Sequence, residues 1–392
     1  MTHPTTEARL LEAAGYVPPP SYAWTRSVCE RPLRSADVDA IAMKVTAGLS
    51  QQGVVLPDAD VLVRRCVVAL LCGHLVLQGP PGTGKTTLAR LLADAFDAHL
   101  DAATATADWS TYDVIGGLRP GADGALVPSL GSVSQAALNC AGTVREDDAG
   151  QGGAGNQATW LLLDELNRAD IDKAIGPLYT VLSAVTPQHL LDAPLEFWFG
   201  AGDAARLWVP TRFRIVGTMN DVDTSFVNAL SQGLARRFQF LYVGVPGPTE
   251  TAAEVEQALR QARAWLHAQY GASLPVATAD SLVTSFDELR QRLVSLVEGL
   301  RRPLGVPGWP LGTAQLVDVW RTVLLQAPQG PATGTDPSGL LDAAVADRIV
   351  PQMGTLEKEQ LDAFQELFDA MTPSMPASSA AIRHLVNPHT PL

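Results

Sequence analysis

A chain of 392 residues that is 46% hydrophobic can bury a sizeable core and is long enough for two or three domains. Its formal net charge of −13 excludes a surface that binds nucleic acid indiscriminately, so any DNA contact must be local. The longest apolar run, Cys66 to Leu77, is too short to span a bilayer and contains His74, and the N-terminal stretch lacks the charged-then-apolar order of a secretion signal, so a cytoplasmic protein with no membrane role is expected.

Residues 1–35 are proline-rich and irregular, with VPPPSYAW and further prolines at Pro4 and Pro32, and read as a tail or strap rather than a domain. They are too few for a separately folded DNA-reading domain. Two helical patterns follow. Ala36 to Gln52 places Val38, Ile41, Val45 and Leu49 on one face, and Asp58 to Gly73 is entered through Pro57.

The stretch from Leu75 to Thr87, LVLQGPPGTGKTT, is an apolar strand running into a glycine-rich loop and then the first turn of a helix. Gly79, Pro80, Pro81, Gly82, Thr83, Gly84, Lys85 and Thr86 satisfy the full G-x-x-x-x-G-K-[ST] pattern of a phosphate-binding loop. The glycines let backbone N–H groups close around a phosphate, where the positive end of the following helix adds to the attraction. Lys85 reaches the β- and γ-oxygens in such loops, and the Thr86 hydroxyl holds Mg²⁺. Besides Lys85 the chain has only Lys44, Lys173 and Lys358, so a lysine at this spacing carries weight. The loop predicts binding of a nucleoside triphosphate.

His99 to Ala105 reads as a second strand, and the segment DWSTYDVIGGLRPGADGALVPSLGSVSQAAL as a hairpin inserted before a helix that resumes near Ser132. Ala141 to Gln157, rich in Gly, Asp and Gln, reads as a flexible connector. Thr159 to Asp164, TWLLLD, is a continuous apolar strand suited to burial in a parallel sheet, and it ends in adjacent carboxylates, Asp164 and Glu165. About eighty residues after a phosphate-binding loop, this is where a metal-holding acid belongs. Asp164 is expected to bind Mg²⁺ through its water shell, and Glu165 to orient and deprotonate the attacking water. A helix from Lys173 to Ala184, the strand-and-turn region LEFWFGAGDAARLWVP, and a buried strand from Phe213 to Met219 follow. That strand ends in Asn220, at the rim where open α/β sheets bind ligands, able to position a water or touch the γ-phosphate. From Asn228 a helix leads to Leu234-Ala235-Arg236-Arg237-Phe238 and the strand FQFLYVGV. One of the two arginines is a candidate to reach a neighbouring subunit's γ-phosphate.

From Pro246 the pattern is helical: Glu250 to Tyr270, Ser281 to Leu300 with Leu282, Phe286, Leu289, Leu293, Leu296 and Leu300 on one stripe, Ala314 to Leu325, and Leu356 to Met371. The expected division is therefore an N-terminal segment 1–35, an α/β nucleotide-binding domain 36–245 and a helical region 246–392. Cys29, Cys66, Cys72 and Cys140 fit neither a zinc pattern nor a disulfide framework and are expected to act as small apolar side chains in a reducing cytoplasm.

The blocks GPPGTGKT, DVIGGLRP from Asp113, LLLDELNRAD from Leu161, VPTRFRIVGTMN from Val209 and LARRF from Leu234 resemble the AAA+ ATPases. Within them they resemble the McrB and MoxR branch, which carries inserts in helix two and before the first-sensor strand. The likeness covers Asp58 to Val245 closely and the helical remainder loosely. It implies a parallel sheet sandwiched by helices, followed by an all-α lid. It also implies that Gly79 to Thr87, with Thr87 included, form the Walker A loop, that Asp164 and Glu165 form Walker B, that Asn220 is the first sensor and that Arg237 is the arginine finger, with Arg236 as its understudy. A second-sensor arginine is expected near Gly312-Thr313-Ala314-Gln315, where none stands, so Arg321 or another residue substitutes or the lid senses differently. The stretch Met219 to Ser225 resembles the McrB signature MNxxDRS with Thr224 in place of Arg, which leaves ATP, favoured here, and GTP both open. The resemblance further implies Mg²⁺ and a homo-oligomeric ring, in the first instance a hexamer. Its leading implication for function is a McrB-like motor subunit of a defence or restriction system that acts with a separately encoded nuclease. The alternatives are a MoxR-like chaperone acting on a von Willebrand A domain partner, and a nucleotide-gated scaffold.

Overall fold

The computed structural model describes residues 20–122, 124–150, 155–200, 205–221, 232–271, 279–326 and 337–387. The chain forms two compact units. The first comprises Met1–Thr46, Asp60–Gly79 and Lys85–Tyr242, and the second Ala47–Ala59, Pro80–Gly84 and Val243–Leu392.

In the first unit, residues 20–37 hold one 3₁₀ turn, Ala23–Val28, and otherwise run without regular structure. They are fastened along the segment 207–214. Thr211 N donates to Cys29 O at 2.9 Å, Thr211 Oγ1 to Arg31 O at 2.5 Å and Arg212 Nε to Pro32 O at 2.7 Å. Helix α1 (Val38–Gln52) starts where the Asp37 carboxylate accepts the Asp39 and Ala40 N–H groups. Helix α2 (Ala59–Cys72) follows, then strand β1 (His74–Gly79), helix α3 (Lys85–Ala95) and strand β2 (Ala98–Thr104). Strands β3 (Gly116–Pro120) and β4 (Leu126–Leu130) make the expected antiparallel hairpin, Gly116 opposite Leu130. Helix α4 (Ser132–Asp148), strand β5 (Ala158–Asp164), the two-residue strands β6 (Leu195–Glu196) and β7 (Arg206–Leu207), β8 (Ile215–Asn220) and β9 (Phe238–Tyr242) complete the unit.

Five strands form one parallel sheet in the order β2-β5-β8-β1-β9. Parallel neighbours need long crossovers, and the helices those crossovers supply cover the sheet, which is why β1, β5 and β8 are apolar almost throughout. Arg214, buried just ahead of β8, donates to the Leu70, Thr211 and Phe213 carbonyls, so its charge closes part of the open end of α2.

Two expectations are corrected here. Ala141 to Asp148 is not connector but the last half of α4. Cys140, Ala141 and Val144 are buried, and Thr143 Oγ1 lies 2.8 Å from Thr159 Oγ1 of β5. The acidic pair at its end, unfavourable for the helix dipole, is met by arginines: Arg212 Nη1 to Asp147 at 2.7 Å, Arg34 Nη1 to Asp147 at 3.3 Å and Arg31 Nε to Asp148 at 2.7 Å. The second correction concerns Lys173 to Ala184. The helix covers only Ile171–Ile175 and gives way to 3₁₀ turns at Gly176–Leu178 and Val181–Ser183, because Pro177 has no N–H to continue it. The expected helix start at Asn228 lies outside the described residues; Gln232–Ala235 is helical.

Among the described residues from 243 onward the second unit holds helices α5 (Pro248–Tyr270), α6 (Ala279–Arg301), α7 (Thr313–Gln326), α8 (Pro337–Arg348), α9 (Lys358–Ala370) and α10 (Pro376–Val386). Leu289, Leu293, Leu296 and Leu300 enter a core with Trp320, Phe364 and Phe368; the side chains of Leu282 and Phe286 lie outside the described set. α8 and α10 are additions to the four helices expected. Asp342 of α8 caps α10 by accepting the Ala377 and Ser378 N–H groups at 2.8 and 2.9 Å, so each holds the other. A buried bidentate pair joins α6 to α5: Arg301 to Glu254 at 2.7 and 3.0 Å, with Thr313 Oγ1 also donating to Glu254 at 2.6 Å.

Cys29, Cys66 and Cys140 are buried, and burial pushes their thiols up to about 12, whereas Cys72 is exposed, contrary to expectation. His74 is buried between Phe213 and Phe238, its Nδ1 accepting the Ile215 N–H at 3.0 Å. Burial first, and then the Arg214 charge, lowers its pKa to about 3 from 6.5. Since the unfolded chain then takes up the proton and the fold does not, stability is complete above pH 6.5 and is lost as pH falls toward 3. Between pH 6.5 and 5 the loss from His74 should be about 2 kcal/mol. Replacing it with Asn, which keeps an acceptor for Ile215, should flatten the denaturant-midpoint profile over that interval by this amount.

Candidate nucleotide site

At the end of β1, Gly79 has φ 154° and Lys85 opens α3 with its ammonium buried, Nζ donating to Gly79 O at 2.8 Å. Burial lowers the Lys85 pKa to about 8, against the opposing charges of Asp221, Asp164 and Glu165. Thr86 Oγ1 lies 3.4 Å from Asp164 Oδ1. Thr87 follows in the same first turn. Register explains the convergence: β8 lies between β5 and β1, Leu163 pairs with Gly217 and Gly79 pairs with Asn220, so the three carboxyl ends share one rim. Asp164 ends β5. Glu165 follows in a left-handed conformation (φ 56°), its N–H donating to Thr218 Oγ1 at 3.1 Å and its carboxylate paired with Arg168. Asn220 ends β8, its carbonyl accepting Asn167 Nδ2 at 2.7 Å.

The rest of the loop, Pro80 to Gly84, packs within the second unit. Gly82 and Gly84 have φ of 75° and 86°, conformations closed to most side chains, and Thr83 Oγ1 donates to Pro80 O at 3.0 Å. A Cβ at Gly82 would meet Gln315 Oε1 at 2.4 Å, and one at Gly312 would meet Pro81 O at the same distance. Ala314 N donates to Gly82 O at 3.1 Å. The side chain placed against the loop tip from the start of α7 is therefore Gln315. Arg321 is engaged elsewhere, bonded to Asp318 at 3.0 Å with its guanidinium 4.4 Å from the Trp265 ring centroid.

Arg236 and Arg237 are not brought to this rim. They precede β9, whose Phe238 pairs with His74 at the opposite end of β1, on the order of 15 Å along the strand from Gly79. Arg237 donates to Tyr179 O at 2.7 Å and Gly233 O at 2.6 Å and lies 4.2 Å from the Tyr179 ring centroid. With Arg236 it lines a cavity of about 130 Å³ beside His74 and Leu182.

Three rim residues have no assigned role in the sequence reading. Thr218, 2% exposed, donates to Asp164 Oδ1 and accepts the Glu165 N–H, so one hydroxyl sets both acids. Asn167 and Asp221 each keep a buried Oδ1 without a hydrogen-bond partner. The signal for Thr218 is a hydroxyl inside an apolar strand, two residues before Asn220 and so on the same face.

These residues fit a Mg²⁺–nucleoside triphosphate. The loop glycines leave no side chain over its backbone, the buried ammonium and helix start supply positive charge, and a hydroxyl beside a carboxylate suits a metal that also takes phosphate and water ligands. No group of three or more His, Cys, Asp or Glu among the described residues could hold a metal unaided. Among the same residues no helix is long and apolar enough to cross a membrane.

The fold and rim define a P-loop α/β domain with a helical companion unit. Residues 74–238 match the family described as AAA domain (dynein-related subfamily). Over 173 residues the chain is 27% identical to the "Type IV methyl-directed restriction enzyme EcoKMcrB subunit" of Escherichia coli (strain K12), a match covering 43% of this chain and 34% of that protein. The chain thus spans about a third of the length of the curated relative it matches. The segment 74–238 resembles the AAA domains of the dynein-related subfamily, and the likeness to the restriction-enzyme subunit is likewise partial.

Thr218→Val removes the shared hydroxyl while keeping the strand's shape. Titrating Mg²⁺ into a nucleotide-hydrolysis assay should show a need for about 10–100-fold more metal, or a comparable loss of rate.

Proposed function

We propose that this chain is a nucleoside triphosphatase, with ATP favoured over GTP, that works in a homo-oligomeric ring, in the first instance a hexamer. We further propose that it serves as a McrB-like motor subunit that remodels or moves along DNA together with a separately encoded nuclease. The observation that carries the hydrolytic part is the shared rim of β5, β8 and β1, which gathers Lys85, Thr86, Asp164, Glu165 and Asn220. The likeness to a restriction-enzyme subunit supports the rest.

In this reading the loop Gly79 to Thr87 cradles the triphosphate and Lys85 exchanges the Gly79 carbonyl for phosphate oxygens. Thr86 and Asp164 would hold Mg²⁺, which when bound neutralises charge on the phosphates. Glu165, once released from Arg168, orients a water and takes its proton on a carboxylate oxygen, and Asn220 fixes that water's position. Arg237, with Arg236 beside it, belongs to the end of β1 remote from its own loop and so serves a neighbour's site. A second reading, a MoxR-like chaperone acting on a von Willebrand A domain partner, is favoured by the net charge of −13, which suits a protein client better than a polyanion.

Lys85→Ala should abolish nucleotide binding, and Glu165→Gln should bind without turning over; wild-type turnover by the Gln variant would remove Glu165 from its role. Arg237→Ala should bind normally and hydrolyse slowly, by roughly 10³-fold or more. If the arginine acts across an interface, mixing that variant with Glu165→Gln should restore some hydrolysis, since each lacks what the other keeps. The motor reading is tested by hydrolysis of ATP and GTP with and without double-stranded DNA, alongside mass in solution. Stimulation by DNA in a ring-sized species supports it. Indifference to DNA supports the chaperone, and very slow turnover with nucleotide-dependent assembly supports a nucleotide-gated scaffold.

A further inference from the structure

Asp221 is the rim carboxylate that the reaction above leaves without work. Asp164 is occupied by Thr86 and Thr218, and Glu165 by Arg168. Asp221 follows Asn220 directly, and its N–H donates at 3.4 Å to the Gly79 carbonyl that also accepts the Lys85 ammonium at 2.8 Å. One carbonyl oxygen thus ties the lysine head to the residue carrying the acid. Burial first, and then the Asp221 charge, raises the pKa of the Tyr242 phenol, and the Asp221 Oδ1 is buried with no hydrogen-bond partner. A buried carboxylate oxygen without a donor is costly unless a cation compensates it. The cation tied to the same Gly79 carbonyl is Lys85, and the Asp221 charge favours its protonated form.

We propose that Asp221 is a positioning residue acting through Lys85: it holds the ammonium on the Gly79 carbonyl until phosphate takes that place, and it repels bound phosphate so that nucleoside diphosphate leaves. This rests on the nucleotide-site reading. Asp221 lowers affinity for a polyanion, where the other rim residues raise it, and so trades grip on the product for release. Its removal is therefore a gain of binding, which a residue that only propped up the strand end would not give.

The test is a fluorescence titration of the full chain with methylanthraniloyl-labelled nucleoside diphosphate in the absence of Mg²⁺. Asp221→Asn should bind about tenfold more tightly than wild type, the size expected of one charge several ångströms from phosphate in a half-buried site. Asp221→Ser, a second charge-removing variant, should show the same gain should the amide disturb the strand end. The gain should shrink in high salt, Asp221→Glu should restore wild-type affinity, and Tyr242→Phe should leave affinity unchanged. Unchanged or weaker binding by both charge-removing variants overturns the inference, as does an equal gain in Tyr242→Phe, which would place the effect in the phenol contact. Wild type binding no better than Lys85→Ala would instead bring down the nucleotide reading itself, and this inference with it.

Discussion

Keeping a lysine charged with its ammonium almost out of water is the demand around which the first unit is arranged. A buried cation is tolerated only where carbonyls and carboxylates stand in for the lost hydration. Here those groups come from three strand ends: Gly79 from β1, Asp164 with Glu165 from β5, and Asp221 just beyond β8. None of these strands is adjacent to another in sequence. Only the order β5-β8-β1, with its parallel register, makes them neighbours, so the sheet topology is the means by which one charge is held.

This also decides what could be read from the chain alone. The loop from Gly79 to Thr86, the apolar strands and the Asp164–Glu165 pair are local patterns, and local patterns survive without knowledge of the fold. The polar partners do not. Thr218 matters because it reaches Asp164 and Glu165, and Asn167 because it meets the Asn220 carbonyl, both contacts spanning more than fifty positions. The misread stretches have the same origin. The run ending in Asp147 and Asp148 looks like linker until Arg31, Arg34 and Arg212 arrive, and α8 with α10 are hidden by the reciprocal cap at Asp342. Pro177, by contrast, was a visible stop within the expected Lys173 to Ala184 helix.

The second unit solves a different problem. It buries Arg301 with Glu254 by giving both fork nitrogens a carboxylate oxygen and adding the Thr313 hydroxyl and the Leu311 carbonyl. Removing one partner of such a pair leaves an uncompensated charge, so the arrangement fixes where α7 begins. That start matters, because Gly312, Ala314 and Gln315 lie against the loop tip at Pro81 and Gly82. A neutral amide here meets the loop by contact alone, its hydrogen bonds going to Gly312 and Gln352, whereas an arginine would add a charge of its own.

The placement of Arg236 and Arg237 at the far end of β1 has a consequence for counting. If these arginines serve a neighbour, a copy owns the machinery for holding nucleotide and lacks what finishes the job, while offering that missing part to the next copy. An open string of copies then always ends in one unfinished site, and a single copy has nothing else. In that case closure into a ring would be the one arrangement in which every site is finished, and rate per copy would report how many circles have closed.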